Sequence, residues 1–510
     1  MKKKPFLERL SEIILNEQTW ILLIFLIPLS LLYDVISYIL FIYDRIAGMT
    51  FQTHEDKIKD VQRQVRKRLQ TKDKRPMCTS RPGWKSITFQ KLIYKSKCYQ
   101  INVNMSSILS VDTSRRKVMV EPLIDIGTLN DYLINLGWTL PIVPELDELT
   151  IGGLVMGGGI ESTSNKYGLF QYICSKYELV MPDGSLVTCS PTQKPELYCS
   201  IPFCYGTLGL LTAVEIDIIP YKPYVKLTYT PKQNLNDYVE EFSKVIRDNK
   251  VDSIEGLLYT KDSGVVMTGV FVDNPDSAPY NPMGKWYSEW FYTYAKKITD
   301  KNEVYTEIVP TRGFFHRHNK SWFWIVEFVF GKNINHPFFR YTLGWTMPPK
   351  FSFIKYLRHK FAPPGIVDSF VCQDIGFELD KLKDALEFVD DKTKVYPLWL
   401  CPMRHIVPEH LKDLNRFEKD MIHIDVGIYG FSPIPKFNQV DTQKVLEKYC
   451  LETGAMVALY AETQLTSKDF NQMFSKSMKI YNKVRKEYDC EDNFPNVYEK
   501  ISRLGRSTFT

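Results

Sequence analysis

The residues best able to do chemistry with a ligand lie between Pro144 and Phe170, in PELDELTIGGLVMGGGIESTSNKYGLF. Gly152, Gly153, Gly157, Gly158 and Gly159 fall within eight positions. Lacking Cβ atoms, they let several successive amides turn toward one anionic group, and a pyrophosphate suits such a row of donors. The chemistry indicated is the holding of a nucleotide cofactor, with Thr150, Ile151, Leu154, Val155, Met156, Ile160, Glu161, Ser162, Tyr167 and Gly168 as the neighbours that would line it. A Rossmann fingerprint is excluded, because Gly157-x-Gly159 is followed at the third position by Ser162. No Gly-Lys-Ser/Thr ending makes a Walker phosphate loop, and Ser162, Thr163, Ser164 and Asn165 are poor helix formers. A purely structural glycine-rich turn is the competing reading.

The elements that must position this stretch follow it directly. Tyr177 to Met181 and Ser185 to Thr188 read as strands joined by a turn at Pro182, Asp183 and Gly184. Lys194-Pro-Glu-Leu-Tyr reads as a short helix, and the run Gly206-Thr-Leu-Gly-Leu-Leu-Thr leads into an alternating strand, Ala213 to Ile219, closed by Pro220. In order, these pieces resemble the FAD-binding domain of the vanillyl-alcohol oxidase and p-cresol methylhydroxylase superfamily. Within it, PMCTSRPGW at 76–84, GWTLPIVPELDELTIGG at 137–153, ESTSNKYGLFQ at 161–171 and GTLGLL at 206–211 resemble the Δ24-sterol reductases. The resemblance covers nearly the whole chain.

It implies an α+β protein: a two-subdomain FAD-binding domain of the p-cresol methylhydroxylase type plus an α+β substrate (cap) domain, behind an N-terminal membrane-anchoring helix. It implies non-covalent FAD, because Cys78-Thr-Ser-Arg-Pro-Gly-Trp84 has no histidine where many superfamily members tether the flavin. It implies NADPH as electron donor and a sterol with a Δ24 side-chain double bond as substrate. Arg81 and the amides around Gly83 would hold a phosphate or the isoalloxazine edge, unless Arg81 is a surface residue beside a proline turn. Gly206, Thr207 and Gly209 would complete the cofactor site. The chain departs from many relatives at Asn165, where they carry histidine, and at Phe203-Cys204, where they carry Trp-Ser, so no proton-donor role is transferred to position 165.

The implied substrate sets the remaining chemistry. An isolated trisubstituted alkene has no carbonyl to polarise it, so hydride addition needs an acid opposite the flavin. Protonation at C24 places the cation at the tertiary C25, where hydride captures it, and a carboxyl or phenol in a dry pocket can be tuned for the task. The candidates are Tyr460 and Glu462 in ALYAETQ, with His423 and Asp425 behind them; each also reads as ordinary strand-edge hydrogen bonding. No second dinucleotide fingerprint locates NADPH. A flavin-dependent oxidase of a sugar lactone or alcohol, and a non-catalytic membrane flavoprotein scaffold, are the competing functions.

From Trp20 to Tyr43 the chain reads WILLIFLIPLSLLYDVISYILFIY, long enough for a membrane helix, with Asp34 its only charge. It is too long for a signal-peptide core and lacks a small-residue cleavage site. Basic residues on both flanks leave orientation tied, so either one helix spans with Asp34 snorkelling or paired, or Pro28 and Asp34 break the segment into a shallow hairpin; the competing reading is a buried helix folded against the enzyme. His54 to Arg75 is basic, with Ile58, Val61, Val65 and Leu69 at helical spacing to pack on the protein or on lipid. The expected setting is the endoplasmic reticulum membrane with the catalytic domain facing the cytosol. Partners are then the sterol and membrane lipid, with self-association or association with other sterol-biosynthesis enzymes left open.

At 510 residues, 44% hydrophobic and 24% charged, the chain can build two or three cores. A net charge of +6 with no zinc-finger or aromatic nucleic-acid motif argues against nucleic-acid binding. The ten cysteines have neither metal-binding nor disulfide-framework spacing, and His316-x-His318 without further ligands reads as a strand or loop pair, so no metal site is expected. Two aromatic clusters, Trp286 to Tyr294 and Phe314 to Trp324, either line a sterol pocket or form core. His336 to Phe353 mixes aromatic, proline and basic residues that could touch a bilayer surface, and His423 to Phe431 reads as a strand. The expected division is an anchor over 1–44, a FAD-binding domain over 45–221, a substrate domain over 222–450 and a segment returning to the flavin domain over 451–510.

Overall fold

The apolar patterning of the chain resolves into two main antiparallel sheets in a computed structural model, which describes residues 22–46, 52–86, 93–275, 277–361, 370–415, 417–461 and 463–502. Helix α1 (Ile27–Ile46) and helix α2 (His54–Gln70) precede them. β1 (Met77–Thr79) and β2 (Tyr99–Ile101) pair in parallel. After these come β3 (Ile108–Asp112), β4 (Lys117–Val120), β5 (Trp138–Thr139), helix α3 (Ile151–Gly157), β6 (Cys174–Val180), β7 (Leu186–Cys189), β8 (Leu210–Asp217) and β9 (Ile219–Pro220). The first large sheet runs β3-β4-β8-β6-β7. The expected hairpin is β6 and β7, in register Val180 to Leu186, with its turn closed through Gly184 at φ +81°. The short helix is Pro195–Ser200. β8 is buried along both faces up to Asp217 instead of alternating, because it lies between β4 and β6 in the middle of the sheet.

The second sheet is built from β10 (Tyr224–Lys232), β11 (Ser253–Thr260), β12 (Ser263–Val272), β13 (Tyr305–Pro310), β14 (Phe370–Glu378), β15 (Leu398–Arg404), β16 (Ile422–Phe431) and β17 (Met456–Val457), in the order β13-β10-β12-β11-β15-β16-β14-β17. Helices Leu235–Asp248, Leu382–Thr393 and Gln439–Thr453 pack against it. The first of these starts where Asn234 accepts from the Asp237 amide, buries Leu235, Tyr238, Phe242 and Ile246 at helical spacing, and stops at left-handed Asn249. One continuous apolar core joins the two sheets.

The amino-terminal segment departs from the expected membrane anchor. Among the described residues no helix is long and apolar enough to cross a membrane. Trp20 and Ile21 lie outside the described residues; a π-helical turn over Leu22–Leu26 runs directly into α1, which continues past Pro28 and Asp34 to Ile46, so no hairpin forms there. The helix is held on the protein body. Ile27 is buried, Tyr33 lies against Phe353 with ring centroids 5.3 Å apart, and Asp34 pairs with Lys350 at 3.3 Å. Its other face leaves Ile24, Phe25, Leu29, Leu32, Val35, Ile36 and Ile39 exposed.

Helix α2 starts at a capping box in which Thr53 and Asp56 satisfy each other's amides. Ile58, Val61 and Val65 are buried against the protein while Leu69 is exposed, so the apolar stripe faces the protein. His54 is clamped between Glu121 at 2.9 Å and Glu178 at 3.0 Å. The aromatic clusters are chiefly core: Trp290, Phe291, Tyr292, Phe314, Phe315, Trp322 and Trp324 are buried, with Trp286 exposed. At the carboxyl end the Arg485 guanidinium donates to the carbonyls of Thr207, Cys490, Glu491, Phe494 and Pro495. Helix Ser475–Glu487 is thereby tied to the segment that leads into β8.

Candidate active site

Thr150 starts α3, and Ile151, Leu154 and Val155 bury its apolar side. This packing holds Gly152 and Gly153 in a short helix despite their low helix propensity, so the open loop begins only at Gly158. Gly158 adopts φ +107°, and a Cβ there would stand 2.9 Å from the Phe203 ring. A Cβ on Gly152 would come within 2.8 Å of Pro122. Beyond Gly159 and Ile160, the Glu161 amide donates to Ser164 Oγ at 3.0 Å, and Thr163 Oγ1 donates to the Pro141 carbonyl at 2.9 Å. Ser164–Tyr167 then forms one helical turn despite its residue types, ended by Gly168 at φ +74°.

Several expected cofactor residues brace this loop. Arg81 is partly buried and donates to Thr150 Oγ1 at 2.8 Å and to the Lys85 carbonyl at 2.9 Å, across the turn that contains Gly83. Tyr205 Oη donates to the Gly157 carbonyl at 3.3 Å. Gly206 turns at φ +67°, and Thr207 donates to the Cys204 carbonyl at 2.6 Å and lies 2.7 Å from Tyr481 Oη. Gly209 approaches Leu179 and Met181, where a Cβ would find contacts at 3.2 to 3.4 Å.

The donor set beside the glycines fits a polar ligand. Ser162 Oγ, both side-chain polar atoms of Asn165 and Gln171 Oε1 are buried without a hydrogen-bond partner among the described residues. Buried polar atoms are otherwise almost always paired, so orphans concentrated after a side-chain-free loop suit a flavin nucleotide.

A cavity joins the loop to the second sheet. Gly158, Ile160, Leu169 and Phe203 line one side; Gly376, Met403, Asp425, Met456, Ala458 and Tyr460 line the other. Two sequence-expected acids, Asp425 and Tyr460, therefore meet the glycine loop. On β16, Asp425 stands opposite Gly376 of β14, and Gly427 stands opposite Asp374. Asp374 and Asp425 are buried and hydrogen-bonded to each other. Asp374 also accepts from Tyr429, and the Tyr460 phenol stands close by. A Cβ on Gly427 would stand 2.7 Å from the Tyr429 hydroxyl, so the glycine leaves room for Tyr429 to reach across. Burial pushes both carboxyls above the usual carboxylate range, and the neighbouring Asp374 charge raises Asp425 further. Burial likewise raises the Tyr460 phenol well above its ordinary value.

His423 bonds its Nδ1 to His405 Nε2 at 3.0 Å, and His405 Nδ1 lies 2.9 Å from Tyr172 Oη. Glu462 lies outside the described residues. Asp374 was missed by sequence reasoning, although a carboxylate in the middle of the largely apolar strand FVCQDIGFE is an available signal.

A second buried polar group ties the loop to the second sheet. Arg317 donates to Glu255 Oε1 at 2.6 Å and to Glu161 Oε1 at 2.8 Å. Glu255 Oε2 lies 3.1 Å from His318 Nε2 and accepts from Trp399 Nε1 at 3.0 Å. The guanidinium and His318 hold Glu255 well below the usual range despite its burial. Burial pushes Glu145, which has no such partner, well above it. The expected H-x-H pair is thus divided, His318 facing Glu255 and His316 lying 3.0 Å from Asp147.

Comparison with known proteins gives the chemistry a setting. Residues 56–190 match a family model described as an FAD binding domain. The Delta(24)-sterol reductase of Mus musculus is 37% identical over 500 residues, 97% of this chain and 95% of that protein. The Delta(24)-sterol reductase of Arabidopsis thaliana is 31% identical over 96% of this chain and 92% of its own length. The L-gulonolactone oxidase of Bos taurus is 20% identical over 78% of this chain and 83% of its own length.

Proposed function

The chain belongs to the Delta(24)-sterol reductase family of FAD-dependent oxidoreductases, and on that premise we propose that it saturates the Δ24 side-chain double bond of a desmosterol-like sterol, drawing its electrons from NADPH. The observation that carries this reading is the cavity in which Gly158 and Ile160 of the glycine loop face Asp425 and Tyr460 of the second sheet. FAD, when bound, supplies a two-electron carrier that takes up hydride from NADPH and delivers it to the alkene.

The residues of the chain do the rest. The side-chain-free stretch from Gly157 to Gly159 lets the pyrophosphate approach the backbone, the Gly152 and Gly158 amides being already committed to the Pro122 and Leu154 carbonyls, while Ser162 and Asn165 supply polar contacts. Ile160, Leu169, Phe203, Met403 and Met456 exclude water from the reacting carbons. An acid on the sheet face, from the set Asp425, Tyr460 and His423, gives the proton to C24 so that positive charge develops at C25, where hydride is accepted. In this reading residues 45–221 form the flavin domain, 222–450 the substrate domain and 451–510 the return to the flavin side. The exposed apolar face of α1 supports contact with a lipid surface at the endoplasmic reticulum, without a span, and a catalytic body on the cytosolic side.

The competing oxidase reading has its counterpart in the more distant lactone oxidase relative. The aromatic surroundings of the second sheet and the far higher identity to the sterol reductases favour the sterol. The experiment is product analysis: purified, flavin-loaded enzyme is given NADPH and a Δ24 sterol, and the sterol is analysed by mass. A gain of two hydrogens, matched by NADPH consumed, supports the reading. Turnover of a lactone with oxygen and none of sterol would replace it.

A further inference from the structure

We propose that Asp425 is the proton donor to the substrate and that Asp374 is the positioning residue that keeps it in its acid form; this rests on the sterol-reductase reading above. Three observations lead there. Asp425 lines the cavity opposite Gly158, and its Oδ2 is buried without a hydrogen-bond partner among the described residues. Its other attachment is the Asp374 carboxyl, one strand away. Asp374 in turn accepts from Tyr429 of β16, with Tyr460 of the turn after β17 close by. Of the pair, Asp374 accepts a phenol O–H while Asp425 Oδ2 accepts none, so Asp374 is the ionised member and the shared proton belongs to Asp425.

The groups around the pair favour the same assignment. Cys401 of β15 stands opposite Asp425, and His423 and Tyr429 flank it on β16. Glu161 and Glu255 lie beyond Cys401 with Arg317 committed to both, and Glu145, which burial keeps in its acid form, adds no charge there. Tyr205, whose hydroxyl donates to the Gly157 carbonyl, lies near Tyr460. No ion pair joins a cation to Asp425 or Asp374 among the described residues, so the dry site favours a neutral acid.

In turnover the Asp425 O–H bond breaks and a C–H bond forms at C24. The alkene π electrons make that bond and leave positive charge at C25, which hydride neutralises. Asp425 is left ionised beside Asp374, a doubly charged state that draws a proton back from solvent before the next cycle. The proton moves without oxidation, and the electron pair comes from NADPH.

The test has one readout that needs no substrate. At neutral pH the infrared difference between flavin-loaded wild type and Asp425→Asn should contain a protonated-carboxyl C=O stretch that shifts in D2O, above the contribution of buried Glu145 common to both, and this stretch should be lost at lower pH in Asp374→Asn than in the wild type. In steady state, Asp425→Asn should retain flavin, its reduction by NADPH and sterol binding, yet turn over about 100-fold or more slowly. Asp374→Asn removes the like charge, so its rate should fall off at lower pH than the wild type's, a shift that a merely structural defect would not produce. A wild-type-minus-Asp425→Asn difference without the band, or Asp425→Asn within about threefold of wild-type turnover, overturns the inference. If the wild-type enzyme itself leaves sterol untouched, the function reading fails instead, and the infrared band still decides the state of the pair.

Discussion

Arg317 Nη1 and Glu161 Oε1 lie 2.8 Å apart, with neither side chain exposed to solvent. The contact links the turn after β13 to the end of the glycine loop, so the loop that faces the cavity is fixed by a cation from the other half of the molecule. Replacing Arg317 by Met leaves Glu161 and Glu255 buried without their shared partner. A broken buried pair costs about 3–5 kcal/mol, so Arg317→Met should unfold at markedly lower denaturant concentration and retain little flavin. Chemical denaturation with a flavin-content assay checks both, and a stability within about 1 kcal/mol of wild type would contradict this role.

Gly157 and Gly158 separate two reasons for having no side chain. Alanine at Gly158 meets both a left-handed backbone and the Phe203 ring, so stability itself should fall by about 1–3 kcal/mol. Alanine at Gly157 finds only ordinary contacts with Tyr205 at 3.7 Å and beyond. If a pyrophosphate approaches that backbone, Gly157→Ala should fold normally yet bind FAD more weakly, by about tenfold or 1.4 kcal/mol. Titration of flavin-free protein with FAD measures it; unchanged affinity would move the cofactor away from Gly157.

Arg485 satisfies five carbonyls at the junction of Thr207 with the carboxyl-terminal segment. Removing it strands several buried acceptors at about 1–3 kcal/mol each, so Arg485→Met should be among the most destabilising single changes. Lysine should not rescue it, because one ammonium cannot reach as many acceptors as the guanidinium fork. Thermal melting of both variants decides the matter.

His54, held between Glu121 and Glu178, has its imidazolium pKa raised to about 9 by those two hydrogen bonds. A raised histidine contributes stability that is fully present below its unfolded value of 6.5 and is lost as pH rises through about 9. Discounted for solvent screening of a half-buried ring, the contribution is about 1 kcal/mol. Melting temperature should fall between neutral pH and pH about 9.5 in the wild type, and His54→Gln should be less stable at neutral pH and show a flatter profile.

Much of this was legible in the sequence because it is local. The β6–β7 hairpin follows from Pro182-Asp183-Gly184, the helix after Lys194 from Pro195 at its first turn, and α2 from a capping box with an apolar stripe. The glycine loop and two of the acids that face it, Asp425 and Tyr460, were also within reach. What was not legible depends on partners distant in the chain. Asp34 looked like a charge in a membrane helix until Lys350 and Phe353 gave α1 a protein face to lie on. β8 alternates in its residue types yet is buried on both faces, since strands on each side and packing above and below decide burial. Asp374 acquires its meaning only from strand register, which sets it opposite Gly427 and beside Asp425.

The central claim, that flavin held by the glycine loop passes electrons from NADPH to a sterol alkene, is tested most directly in an anaerobic cuvette. Purified yellow enzyme is mixed with NADPH and its long-wavelength flavin band is followed, and then a Δ24 sterol is added. NADPH should bleach the band, and the sterol should restore it with formation of the saturated side chain. A flavin that NADPH leaves oxidised, or one that stays reduced when sterol is added, would contradict it.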